Sequence, residues 1–159
     1  MIEMIKKTTL QTELVDIRRH LHRNPEVGME LPATKDFVWQ KLVEYGYEPQ
    51  SCGKMGVTCT IGQGERVFLL RGDMDALPLV EDTDLEFRSE NSAMHACGHY
   101  MHTTMLLGAA KLLKEREKEL PGVVKLLFQP GEEILQGAKD CLDARILENP
   151  KVDAGAMIH

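Results

Sequence analysis

The stretch MHACGHYMHT, Met94 to Thr103, carries His95, Cys97, His99 and His102 in eight residues. Cys97 and His99 flank Gly98. Residues at i and i+2 do not share a helix face. They can point together from a turn or an extended segment, and Gly98 permits the unusual backbone this needs. A thiolate and an imidazole suit zinc, and imidazole also suits other first-row dications. The same spacing also fits a buried cysteine with histidines hydrogen-bonded near a helix start. Glu132 and Glu133 are adjacent carboxylates after an apolar run. One could ligate a cation while the other moves protons to and from a water whose pKa the cation lowers to about 7. A solvated acidic loop fits them too.

Asp73 and Asp75 alternate in RGDMDAL, so in extended backbone they share one side and Met74 takes the other. Asp75 suits a carboxylate that fixes a ligand. For Asp73, turn chemistry is the preferred reading. His159 follows the apolar run AGAMI and is either a ligand or simply a terminal residue. His22 is expected to sit at the negative pole of a helix. Cys52 and Cys59 read as loop and strand thiols, and Cys141 as core.

The elements that must position these groups follow from hydrophobic periodicity. Leu10, Leu14, Ile17 and Leu21 predict a helix over 8–23, ended by Asn24-Pro25. Phe37, Val38 and Leu42 predict another over 33–45, with Gly46 as its stop. A third is expected over 102–120, capped by Thr103 or Thr104, with Met105, Leu106, Ala109, Leu112 and Leu113 inward. A fourth is expected over 137–149, with Ala138, Cys141, Leu142 and Ile146 inward. Strands are expected at 57–61, 67–70, 123–128 and 154–158. Alternating strands and helices predict one α/β domain, a mainly parallel sheet with helices on both faces. RGDMDAL, QPGEE and His159 each follow a strand, so they should converge at the carboxyl rim of the sheet. The Cys97–His99 turn, just before a helix, can join them.

The composition, 43% hydrophobic and 28% charged, is that of an ordinary globular protein, and the net charge of −6 disfavours nucleic acid as a partner. No apolar stretch approaches a membrane span. The N-terminal segment lacks a signal-peptide pattern, so a cytoplasmic location is expected, with the four cysteines as free thiols or ligands. GxSxG, a P-loop, HExxH and the zinc-deaminase signature are all missing. A closed structural zinc site does not account for adjacent glutamates.

Four stretches in order, LHRNPEVGMEL, RGDMDALP, HACGHYMHTTMLLGAAKLL and FQPGEE, resemble the amidohydrolase branch of the M20 metallopeptidase family. That branch contains hippurate hydrolases, N-acyl-amino-acid deacylases and auxin-conjugate hydrolases. The resemblance implies that residues 1–159 are the N-terminal part of a metallo-exopeptidase-like catalytic domain. The dimerisation domain and the C-terminal part of the catalytic domain lie outside them, and a homodimer is expected only of a full-length form. It implies two divalent ions, zinc, manganese, cobalt or nickel. Cys97, His99, Glu133 and His159 match ligands, Glu132 the general base and Asp75 the carboxylate behind the ligands. The implied reaction is hydrolysis of N-acyl amino acids or related small amides, with no membrane partner. The alternative is a truncated, inactive form that keeps the fold and at most part of the metal binding. The family motif reads Cys-Gly-His-Asp-x-His, and here Tyr100 stands at the Asp position. A phenol, with a pKa near 10, brings no carboxylate there. Gly131 stands where alanine is also common in the family, a change expected to loosen that turn.

Overall fold

A computed structural model describes residues 2–159, with side chains from residue 9 onward. Five strands form one mixed sheet in the order β1-β2-β4-β3-β5. They are β1 (Gln50–Cys52), β2 (Gly56–Gly62), β3 (Val67–Asp73), β4 (Val123–Gln129) and β5 (Ala154–Met157). β3 runs parallel to both β4 and β5. β2 pairs antiparallel with β4 and with β1. The parallel strands are the ones whose carboxyl ends carry the polar motifs.

Helices cover both faces, so β4 is buried on each side from Lys125 onward. Leu126 and Phe128 point into the larger core, with Ile17 and Leu21 of α1 (Ile2–Arg23), Val38 and Leu42 of α2 (Pro32–Glu44), and Leu106, Leu107 and Ala110 of α3 (His99–Glu115). Leu127, between them, points the other way, to Cys141 of α4 (Gly137–Asp143), Ile146 and Cys52. This is the two-residue period of a strand buried on both faces. Phe128 is fully buried, and truncation to alanine there would cost about 3–5 kcal/mol.

Local chemistry sets the helix ends. α2 has no side-chain cap at Leu31; instead the Glu26 carboxylate accepts the N–H groups of Ala33 and Thr34. It stops as expected at Gly46, where the Gly46 and Tyr47 N–H groups bond back to the carbonyls of Val43 and Leu42. α3 starts at His99, three residues before the expected position, after Gly98 in a left-handed conformation (φ 103°). Neither threonine caps it. Thr103 Oγ1 donates to the Asp73 carbonyl and Thr104 Oγ1 to the Tyr100 carbonyl. The buried stripe is Leu106, Leu107 and Ala110, not the expected one, and Met105 and Leu112 are substantially exposed.

α4 ends at Asp143, well short of residue 149, and leaves Ala138 and Leu142 exposed. The cause is Lys125. Its Nζ, brought in by β4, donates to the carbonyls of Ile146, Glu148 and Pro150, which bend the chain around the buried ammonium. A continuing helix would have turned those carbonyls along its own axis.

Candidate metal centre

Three parallel strands and one helix start bring their ends together. Asp73 closes β3, is fully buried, and is held from three sides. Arg71 Nη1 donates to its Oδ2 at 2.8 Å, His102 Nδ1 lies 2.5 Å from Oδ1, and His159 Nδ1 lies 3.1 Å from Oδ2. Burial opposes ionisation of Asp73, but His102, Arg71, His99 and His159 outweigh it and hold the carboxyl below its ordinary value. Turn chemistry is therefore the wrong reading for Asp73; its carboxylate belongs to the site.

Asp75, two residues on and also fully buried, does a different job. Its Oδ1 accepts the N–H of Glu132 and its Oδ2 the N–H of Glu133, each at 3.0 Å. Parallel pairing of β3 with β4 makes this possible: Asp73 lies opposite Gln129, so the two chains leave the sheet side by side. The clamp fixes the turn that presents both glutamate side chains.

His99 sits at the centre. Its Nδ1 is 2.8 Å from the carbonyl oxygen of Asp75, which can only accept. Nδ1 therefore carries the proton, and in the neutral ring Nε2 offers a lone pair. That buried Nε2 has no hydrogen-bond partner among the described residues. It lies 3.6 Å from Asp73 Oδ2, 3.6 Å from Glu132 Oε2 and 3.7 Å from Glu133 Oε1. The Glu133 oxygen is likewise buried without a partner. A lone pair facing carboxylate oxygens is repulsive unless positive charge stands between them. Burial works against protonating His99, but the carboxylates of Asp75 and Asp73 raise its pKa.

The donor set fits a dication in that place. Donor atoms of Asp73, His99, Glu132 and His159 lie within 4.8 Å of one another, and so do those of Cys97, His99 and Glu133. The two groups share His99. Cys97, on the exposed turn before α3, completes the second. Partial burial and the charges of Glu133, Glu132 and Asp73 hold its thiol above its ordinary value, so it binds as thiolate only when a cation offsets them.

The structure thus brings together all six residues selected from sequence: Asp75, Cys97, His99, Glu132, Glu133 and His159. Sequence reasoning read Asp73 as turn chemistry and assigned His102 no definite role at the site. The signal for His102 was its position three residues after His99, on the same helix face.

His95 stays apart from the donors. It is buried, neither ring nitrogen has a partner among the described residues, and burial with the nearby charges of His99 and His22 pushes its pKa down to about 3. His22 is committed to more than the helix pole, since its Nε2 lies 2.9 Å from buried Glu81. Tyr100 turns towards α1, with its ring against His22, His95 and the guanidinium of Arg18.

An α/β sheet whose strand ends gather carboxylates, imidazoles and a thiol defines a metallohydrolase-type centre. The family model of peptidase family M20/M25/M40 matches residues 69–159, and the chain belongs to that family. It is 45% identical over 151 residues to an IAA-amino acid hydrolase of Arabidopsis thaliana, covering 93% of this chain and 35% of that protein. It is also 45% identical over 143 residues to the hippurate hydrolase of Campylobacter jejuni, covering 87% and 37%. The crystal structure of the Bacillus subtilis YXEP protein, a dinuclear metal binding peptidase of the M20 family, superposes with a TM-score of 0.91 at 38% identity. That match covers 96% of this chain and 44% of that one. The chain therefore spans just over a third of the curated relatives it matches.

Proposed function

We propose that residues 1–159 form the N-terminal part of the catalytic domain of a metal-dependent amidohydrolase that cleaves N-acyl amino acids or related small amides. The observation that carries this is the Asp75 clamp. By holding the N–H groups of both glutamates, it sets two carboxylates with different duties against one imidazole nitrogen. Relatives named as hydrolases of such amides support the substrate class.

Cys97, His99, Glu133 and His159 would hold divalent ions, with Asp73 facing the same space. Thiolate, imidazole and carboxylate together suit zinc or another first-row dication. When bound, the ions supply Lewis acidity to a carbonyl oxygen and acidity to a water. Glu132, whose Oε2 lies 3.6 Å from His99 Nε2, is the general base: it takes a proton from water and returns it to the leaving amine. His102 and Arg71 hold Asp73 in place and offset its charge. We assign the reaction to the cytoplasm, where Cys97 stays a free thiol. Among the described residues no helix is long and apolar enough to cross a membrane.

Tyr100 favours a second reading, an inactive form that keeps the fold and part of the metal binding, because it stands where the family pattern has a carboxylate. One experiment separates the two. The purified chain is loaded with Zn²⁺, Mn²⁺ or Co²⁺, its metal content is measured, and hydrolysis of N-acetyl and N-benzoyl amino acids is assayed. Metal uptake with turnover is expected of the first reading, and metal uptake without turnover of the second. Turnover abolished by Glu132→Gln would establish activity in the chain itself. Metal content near zero would overturn the ligand assignment.

A further inference from the structure

On the face of the sheet away from the metal centre, two cysteines meet. Cys52 ends β1, and in the β1–β2 register it lies opposite Gly56. Gly56 has no side chain, and Cys141 of α4 fills the room: its Sγ is 3.3 Å from where a Gly56 Cβ would stand. Facing Cβ positions in such a pair are about 4.5–5.5 Å apart, so the Cys141 sulfur is seated beside Cys52. Cys52 Sγ is 3.9 Å from the Cys141 carbonyl oxygen, and the two thiols are within hydrogen-bonding reach of each other.

Both are buried, yet only Cys52 lines a cleft of about 320 Å³ that opens between the hairpin and the turn after α4. Lys125, Arg145 and Glu148 also line it. The pair is asymmetric as a result: Cys52 borders the opening and Cys141 does not. Contact with Cys141, the largest influence, and the ammonium of Lys125 favour the Cys52 thiolate over the opposing effects of burial and of the Asp140 carboxylate. Cys59 also borders the cleft, but its side chain packs into the larger core on the other face of β2, where burial pushes its pKa up to about 12.

We infer that Cys52 and Cys141 form a reversible dithiol–disulfide pair, oxidised through the cleft by hydrogen peroxide. The Cys52 thiolate attacks one peroxide oxygen, the O–O bond breaks, and the other oxygen leaves as water after taking a proton. Cys52 is now a sulfenic acid. The Cys141 sulfur then attacks the Cys52 sulfur, the S–O bond breaks, and a second water leaves with the Cys141 proton. Two thiols have lost two electrons, and one peroxide has become two waters. The new bond would tie α4 to the β1–β2 hairpin. α4 begins at Gly137, whose N–H bonds to the Gly131 carbonyl, so the tether restrains the helix directly behind the glutamate turn.

The folded, metal-free chain is treated with hydrogen peroxide, its remaining thiols are alkylated after unfolding, and the digest is mapped by mass spectrometry. A Cys52–Cys141 cross-linked peptide is expected, with two of the four cysteines lost to alkylation and restored by dithiothreitol. Cys59→Ser should leave the cross-link unchanged, whereas Cys52→Ser should abolish it. Wild-type mapping alone decides the matter if a variant misfolds. Oxidation confined to Cys97, with Cys52 and Cys141 still fully alkylated, would overturn the inference. The readout requires no metal and no turnover, so it is independent of the proposed hydrolase activity.

Discussion

The Asp75 Oδ1 atom accepts the backbone N–H of Glu132, 57 positions later in the chain, at 3.0 Å. A side chain from one strand end thereby sets the direction in which the base from the next strand end points. Asp75→Asn keeps the size but replaces one acceptor with a donor, which faces an N–H. We expect metal affinity to fall about 10- to 100-fold and stability to fall by about 1–3 kcal/mol. Metal titration calorimetry and urea unfolding read the two effects separately. Unchanged affinity would mean that the clamp does not govern the ligands.

Tyr100 occupies a place made for an acceptor. Around its ring lie His22 Nδ1 and both nitrogens of His95, all buried without partners among the described residues. Tyr100→Asp would supply the missing carboxylate at the first turn of α3, beside His99. A gain of about 10-fold in zinc affinity is expected, measured by competition with a chromophoric chelator. Tyr100→Phe should change neither affinity nor stability by more than about 0.5 kcal/mol. Weaker binding in Tyr100→Asp would show that the ring packing matters more than the open hydrogen bonds.

Gly131 is needed for the turn geometry and does not loosen it. Its φ of 59° is left-handed, and an added Cβ would stand 2.5 Å from Met29 Sδ and 3.2 Å from the Gly137 nitrogen. Gly131→Ala should destabilise the chain by about 1–3 kcal/mol, read as a lower denaturation midpoint with an unchanged slope. Met29→Ala in the same chain should recover part of that loss, because it removes the closest clash.

Glu81 predicts a pH dependence away from the metal centre. Burial disfavours its charge, but hydrogen bonds from Thr83, the Ser89 N–H and His22 outweigh that and lower its pKa below the ordinary 4.5. A carboxyl with a depressed folded-state value stabilises the protein above its unfolded value and loses that contribution as pH falls through the folded one. Wild type should therefore exceed Glu81→Gln in stability by about 1–3 kcal/mol at neutral pH. The gap should close as pH falls below about 4.5. Thermal melts of both proteins from neutral to acidic pH test this; a gap independent of pH would assign the effect to shape and not to charge.

The rim of the sheet was legible in the sequence because apolar runs end where polar motifs begin. This located Asp75, Glu132, Glu133 and His159 without any contact being known. Asp73 was not legible, because an aspartate after a strand has the same local signature whether it turns the chain or ends in a buried cluster. Arg71, two residues earlier on β3, shares the face of Asp73 through the strand period, but the partners His102 and His159 are set by tertiary pairing. The helix start at His99 was missed because its stop signal is a backbone conformation at Gly98, not a capping side chain. The early end of α4 was hidden for a similar reason. The periodicity of 137–149 continues past Asp143, and what breaks the helix is a lysine from β4.

The donor atoms of the centre come from chain positions as far apart as Asp73 and His159, 86 residues. No partly folded form that lacks β3–β5 pairing can gather them. A cation held there binds the native state and almost nothing else, so it acts as a thermodynamic fastener: tenfold more free metal above its Kd adds about 1.4 kcal/mol to unfolding. A chelator should lower the melting temperature of the metal-loaded chain, even for a substitution that silences the base.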